Sequence, residues 1–154
     1  MDSDECDIRV EISSEVDKTF DLDKFRSLVE SVCRRFSVAS AAVSIAIVDD
    51  AAIAVINKKF LDHTGPTDVI SFDLSDDDDD GVRNFEIVIN ADQAARQAAE
   101  RSHDTESELA LYITHGLLHN FGFDDHSEAD SKKMHEMEDA ILKDEGFGAI
   151  YESK

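Results

Sequence analysis

Cysteine, proline and positive charge are scarce in this 154-residue chain, and long hydrophobic runs are missing. The two cysteines, Cys6 and Cys33, do not make a disulfide framework and lack the paired spacing of a zinc ribbon. Cys33 falls on the inner stripe of a helix, where it reads as a small core residue. The only proline, Pro66, follows Gly65 and marks a loop. No apolar run approaches the roughly 20 residues needed to cross a bilayer, so no membrane partner is expected. The N-terminal stretch MetAspSerAspGluCysAsp is acidic and precedes no hydrophobic segment. It does not read as a signal peptide, and the expected compartment is the cytoplasm. Lys and Arg number 15 against 36 Asp and Glu, a net charge of −21. Such a surface repels a phosphate backbone and speaks against extended non-specific nucleic-acid binding. An anionic substrate would have to be drawn in by a metal ion and a local cluster of cations.

What is present is enough for one domain over residues 1–154, with a core from about 8 to 145. Residues 7–14 alternate apolar and polar, as a half-buried strand does. Phe25, Leu28, Val29, Val32 and Phe36 mark a helical stripe, and Val43, Ile45 and Ile47 a second strand. Aspartates 49–50 supply an N-cap for a short helix carried by Ile53, Ile56 and Phe60. Strands follow at 68–72 and 85–90, and Asn90 can cap an Ala-rich helix from 91 to about 101. Thr105 and Glu108 have capping-box spacing and open a helix to Phe121 that stops at Gly122. That helix is apolar nearly all round, as buried helices are. A last helix runs from about Ser127 to Leu142, amphipathic through Met134, Met137 and Ile141. The order predicts an α+β fold: a mixed four-stranded sheet packed with about five helices.

The chemistry concentrates between Thr114 and His126. His115 and His119 are four apart on a helix, so they project from one face about one turn apart. His126 lies just beyond Gly122 and can fold back towards the pair. Three imidazoles with room for a fourth ligand describe an open zinc site on a buried central helix; nickel, copper and iron are not excluded by affinity alone. In HExxH peptidases the residue after the first histidine is the glutamate base. Here that residue is Gly116, so the peptidase base is missing. Asp124 and Asp125 adjoin the third histidine and are the candidate catalytic groups, as a base or as a carboxylate orienting an imidazole. They also have a plain reading as residues that shape the turn. Asp76, Asp78, Asp80 and Gly81 match half an EF-hand loop, but Ile87 stands where the bidentate glutamate belongs, and a solvated hairpin loop is expected. His63, His103 and His135 read as surface residues, His135 because Glu136 and Glu138 beside it suggest solvent. Of the three, His103 is the one to test as an accessory group.

HisGlyLeuLeuHis at 115–119, PheGlyPheAspAspHis at 121–126 and the trailing Met134, Glu138 and Leu142 resemble the YbeY endoribonucleases, ribosomal RNA maturation factors. ProThrAspValIleSerPhe at 66–72 resembles that family's other signature, and the strand at 86–89 fits too. The resemblance implies a zinc-dependent nuclease, one ion per chain, that cuts single-stranded RNA. It implies a part in 3′-end maturation of small-subunit ribosomal RNA and in ribosome quality control. His115, His119 and His126 would be the ligands, with ribosomal proteins and an assembly GTPase as partners. Three departures stand out. The gap between the second and third histidines is one residue longer than usual, which costs little in closure entropy. Leu61 follows Phe60 where the family places an arginine, and Lys58 and Lys59 do not reproduce a guanidinium fork. Phe85–Glu86 stands where Gly-Asp is usual. Two alternatives stay open: another zinc metallohydrolase, or a non-catalytic ribosome-associated protein with a structural metal.

Overall fold

The computed structural model describes residues 7–75, 81–123 and 126–147. Cys6, the aspartate run at 76–80 and the pair Asp124 and Asp125 lie outside the described residues. The elements run β1 (Asp7–Ser14), α1 (Leu22–Arg35), β2 (Ser40–Val48), α2 (Asp50–Leu61) and β3 (Val69–Asp73). They continue with β4 (Arg83–Asn90), α3 (Ala91–Arg101), α4 (Thr105–Asn120) and α5 (Glu128–Asp144). The sheet order is β1-β2-β4-β3. The first three strands are parallel and β3 runs antiparallel to β4. This is the mixed four-stranded α+β arrangement that the sequence order predicts.

Strand periodicity sorts the side chains onto two faces. Register sets Val43 between Val10 and Phe85, and Ile45 between Ile12 and Ile87. These residues share the main core with Phe25, Leu28 and Val32 of α1 and Leu109, Ile113 and Leu117 of α4. Cys33 is fully buried there, as its place on the stripe implies. On the other face, Val48, Ile70 and Val88 pack under Ile53 of α2 in a smaller cluster. The expected stripe of α2 is only partly met, because Phe60 is 60% exposed and leans edge-on against Phe72. A short helix covers only part of the sheet, and its last turn overhangs the β3 edge.

Caps fix where the helices begin. Asp49 accepts from the Ala52 N–H, and Asn90 accepts from the N–H groups of Asp92 and Gln93. At α4 the expected capping box is corrected. Asp104, not Thr105, is the N-cap and accepts from the Ser107 N–H. A hydrogen bond from the Ser107 side chain, and next this one from its N–H, hold the Asp104 carboxyl below its usual pKa. Glu108 therefore falls one residue too late to reach back, and its side chain is buried elsewhere. Helix α4 contacts α1, α3, α5, β3 and β4, which explains its burial nearly all round. Gly116 permits the closest approach: a Cβ there would lie 3.3 Å from Ile87 Cγ2 and 3.4 Å from Ser71 Cβ. Ser71 Oγ donates to the Gly116 carbonyl at 3.1 Å and accepts from Asn120 Nδ2 at 2.8 Å, tying β3 to the same turn of helix. The helix stops where Gly122 takes a positive φ of 100°, as expected.

Candidate metal centre

His115 and His119 occupy the last two turns of α4, and their Nε2 atoms lie 3.0 Å apart. Each ring is held from behind through Nδ1. His115 Nδ1 donates to Glu138 Oε2 at 2.7 Å, and His119 Nδ1 donates to the Phe123 carbonyl at 3.1 Å. A carbonyl only accepts, so the Nδ1 of His119 carries the proton; facing a carboxylate, that of His115 does likewise. Both Nε2 lone pairs then point at one another. Two neutral imidazoles in this pose repel unless a cation lies between them. Zinc–nitrogen bonds of about 2.0–2.1 Å set two ligands of one ion roughly 2.9–3.4 Å apart, and the observed separation suits such an ion. The donor set therefore fits a metal.

The third expected ligand, His126, stands on the segment between α4 and α5. It is exposed, immediately before Ser127, the N-cap of α5. Among the described residues no group of three His, Cys, Asp or Glu side chains is placed to hold an ion. The chain between Phe123 and His126 runs through Asp124 and Asp125, so the two candidate catalytic carboxylates also lie outside the described residues. The structure thus brings His115 and His119 together as predicted.

Glu138 is the residue that reasoning from the sequence misplaced. It is fully buried, and its second oxygen accepts from His135 Nδ1 at 3.0 Å. His135 and Glu138 therefore do not face solvent together. The signal was there: positions 134, 138, 141 and 142 form the inner stripe of α5, and all four are buried. A carboxylate on a metal-binding imidazole fixes its tautomer and raises its basicity. His103 also departs from the surface reading. Its Nε2 meets Glu108 Oε2 at 2.5 Å, while Arg101 reaches the same fully buried carboxylate at 3.1 Å. One turn on, Tyr112 is buried and its hydroxyl finds no hydrogen-bond partner among the described residues. Burial foremost, then the negative charge of Glu108, pushes its pKa far up. His63 is exposed, as expected.

The departures at α2 and β4 have visible settings. Leu61 is 43% exposed on the last turn of α2. Lys58 is paired with Asp62 at 3.1 Å, and Lys59 lies over the Phe60 ring. Neither lysine replaces the missing guanidinium. Phe85 is buried edge-on against Phe121, so the bulk at this position fills core space beside the end of α4. A hollow of about 690 Å³ lies on the α2 side of the sheet over Glu11, Ser44 and Glu86. No histidine lines it.

Comparison with known proteins is consistent with this geometry. A solution structure of TM1509 from Thermotoga maritima superposes with a TM-score of 0.64 at 25% identity, covering 88% of each chain. Endoribonuclease YbeY of Oceanobacillus iheyensis is 33% identical over 135 residues, 81% of this chain and 88% of that protein. Its counterpart from Fusobacterium nucleatum is 37% identical over 109 residues, 68% of this chain and 67% of that protein. The family profile described as Endoribonuclease YbeY matches residues 9–146, and with the paired histidines on a buried helix this establishes that the chain belongs to the YbeY endoribonuclease family.

Proposed function

We propose that this chain is a zinc-dependent, single-strand-specific endoribonuclease of ribosomal RNA processing. On this reading it matures the 3′ end of small-subunit RNA, serves ribosome quality control, and works in the cytoplasm with ribosomal proteins and an assembly GTPase. The observation that carries the chemistry is the pair of Nε2 atoms 3.0 Å apart, each ring fixed through Nδ1 by an acceptor. His115, His119 and His126 would hold one zinc ion. When bound, the ion polarises the scissile phosphodiester and stabilises the charge that develops on it.

The chain's own groups do the remaining work. Glu138 and the Phe123 carbonyl keep both histidines in the tautomer that presents Nε2 to the ion. A glutamate at position 116, as in an HExxH peptidase, would crowd the strands, because even a Cβ there lies 3.3 Å from Ile87 Cγ2. Proton transfer therefore falls to Asp125 or Asp124, whichever does not orient the third imidazole. Leu61 leaves the phosphate without the family's arginine, which lowers the rate of cutting rather than the affinity for metal.

The test is metal analysis of the purified protein, joined to cleavage of a single-stranded ribosomal RNA fragment with and without chelator. One zinc per chain and chelator-sensitive cleavage are expected. His119→Ala should lose both. Full zinc stoichiometry in that variant would overturn the site.

A further inference from the structure

A second polar cavity opens beside the histidine pair. Gln93 and Gln97 lie one turn apart on α3, and Glu108, Tyr112 and His115 follow one face of α4. With Asp68 at the head of β3 they line a pocket of about 240 Å³. Its groups fall into two sets. The Glu108 carboxylate is already taken by Arg101, which matches its charge, and by His103. The others keep unused capacity. Tyr112 is 4% exposed, and its hydroxyl has no partner among the described residues. The Gln97 amide makes no hydrogen bond among them either, and Asp68 Oδ1 accepts the Val69 N–H while Oδ2 takes none.

The chemistry of these groups selects the occupant. An anion does not suit the pocket, because its one guanidinium is paired and Asp68 adds negative charge. A neutral heterocycle does: an amide offers a donor and an acceptor, Asp68 accepts, and the phenol does either. The volume is below the roughly 300 Å³ at which pockets for whole small-molecule ligands begin, which suits one ring system. Location gives the context. Tyr112 and Glu108 lie three and seven residues before His115, about 4.5 and 10.5 Å along the helix axis. That is the reach of one nucleotide from a phosphate held at the histidines.

We propose that this pocket binds one base of single-stranded RNA next to the bond that is cut, with Gln97 and Asp68 reading its edge and the Tyr112 hydroxyl at its floor. Single-stranded bases are recognised in this way, by hydrogen bonds to an exposed edge. Asp68 favours bases that present an amino group over uracil. The inference rests on the nuclease reading above and adds base selection to it.

The experiment uses zinc-loaded protein and phosphorothioate-linked pentanucleotides with an abasic site at each position in turn, read by fluorescence anisotropy. In the wild type, one position should lose about 5–10-fold in affinity when its base is removed. Gln97→Ala should bind the intact strand that much more weakly and show less than twofold sensitivity at that position, with zinc content unchanged. Gln97→Glu, which keeps the size of the side chain but not its donor, should change the preferred base. Base sensitivity that survives Gln97→Ala overturns the pocket, even if the protein cleaves RNA. The expected binding pattern without cleavage of ribosomal RNA sustains the pocket and overturns the nuclease reading instead.

Discussion

Glu138→Gln separates a positioned metal ligand from a merely buried one. Glu138 is fully buried and shares its oxygens between two imidazole N–H groups, His115 at 2.7 Å and His135 at 3.0 Å. Glutamine keeps the size but offers one acceptor and one donor. If its oxygen serves His115, its NH2 group opposes the His135 N–H; if it flips, His115 loses its acceptor. In either pose a charge-assisted bond, worth roughly 1.5–3 kcal/mol, becomes a neutral one of roughly 0.5–1.5 kcal/mol or none. Loss of such an outer partner weakens metal sites by about 10–100-fold, which is about 1.4–2.7 kcal/mol in binding. Competition for zinc against a chromogenic chelator should show that shift. Melting of the metal-free variant reports separately on what the substitution does to the fold. The decisive control is the His115→Ala background, where Glu138→Gln should change the weak residual zinc affinity by less than about twofold, because the carboxylate acts through that ring. A variant that binds zinc within twofold of the wild type would refute the reasoning.

Three further substitutions test other parts of the argument. Gly116→Ala sets a methyl 3.3 Å from Ile87 Cγ2, on a β-branched side chain with little freedom to move. Overpacking of about 1–3 kcal/mol then outweighs the roughly 1 kcal/mol gained in helix propensity, so chemical denaturation should show a net loss of about 1 kcal/mol. A gain would mean the strands yield. The Asp50 pKa is lowered, chiefly by the hydrogen bonds from Arg96 and next by that from Asn90. Its stabilisation is therefore complete above the unfolded-state value near 3.9 and is lost as pH falls through the lower folded value. Asp50→Asn should cost no more than about 1 kcal/mol at pH 7, as befits a partly exposed pair, and the gap to wild type should close below about pH 4. A deficit that persists at pH 2 would point to packing instead. Tyr112→Phe removes an unpartnered buried hydroxyl. It should raise thermal stability by about 1 kcal/mol while weakening binding of the base; a large drop in stability would show that the hydroxyl has a partner.

Most of the fold was readable because its signals are local. Strand alternation and the caps at Asp49 and Asn90 depend on neighbours within a few residues, and those elements stand where their residues point. The misreadings share a different cause. Thr105 and Glu108 carry the spacing of a capping box, but Asp104 is a stronger acceptor one residue earlier and takes the position. Glu108 is then released to meet Arg101 and His103, a choice that depends on how α3 packs against α4. Glu138 looked solvent-bound from its acidic neighbours, yet the periodicity of α5 sets it on the buried face with Met134 and Ile141. Only the packing of α5 against α4 brings it to His115. Phe60 followed the expected helical stripe, but the sheet beneath it was already at its edge. A pattern within one element says which face turns inward, and not what that face meets.

Charge pairing bears on how such an acidic protein could hold RNA at all. Arg35 pairs with Asp144, Arg83 with Asp73, Arg96 with Asp50 and Arg101 with Glu108. These arginines would meet a phosphate backbone with their charge already matched, against a chain total of −21. Affinity built on released counterions grows with the number of phosphates neutralised, so it is small here. The attraction left to the proposed nuclease comes from an ion at His115 and His119 and from contacts to the base. A base pocket of this kind also supplies strand selectivity without a duplex-excluding lid. In a paired helix the Watson–Crick edge that Gln97 and Asp68 would read is already bonded to its complement, and the ring is stacked out of reach. Only an unpaired nucleotide can turn its base into the pocket while its phosphate approaches the histidines. On this account, the same feature that makes up for the weak pull on phosphates also restricts cutting to single strands.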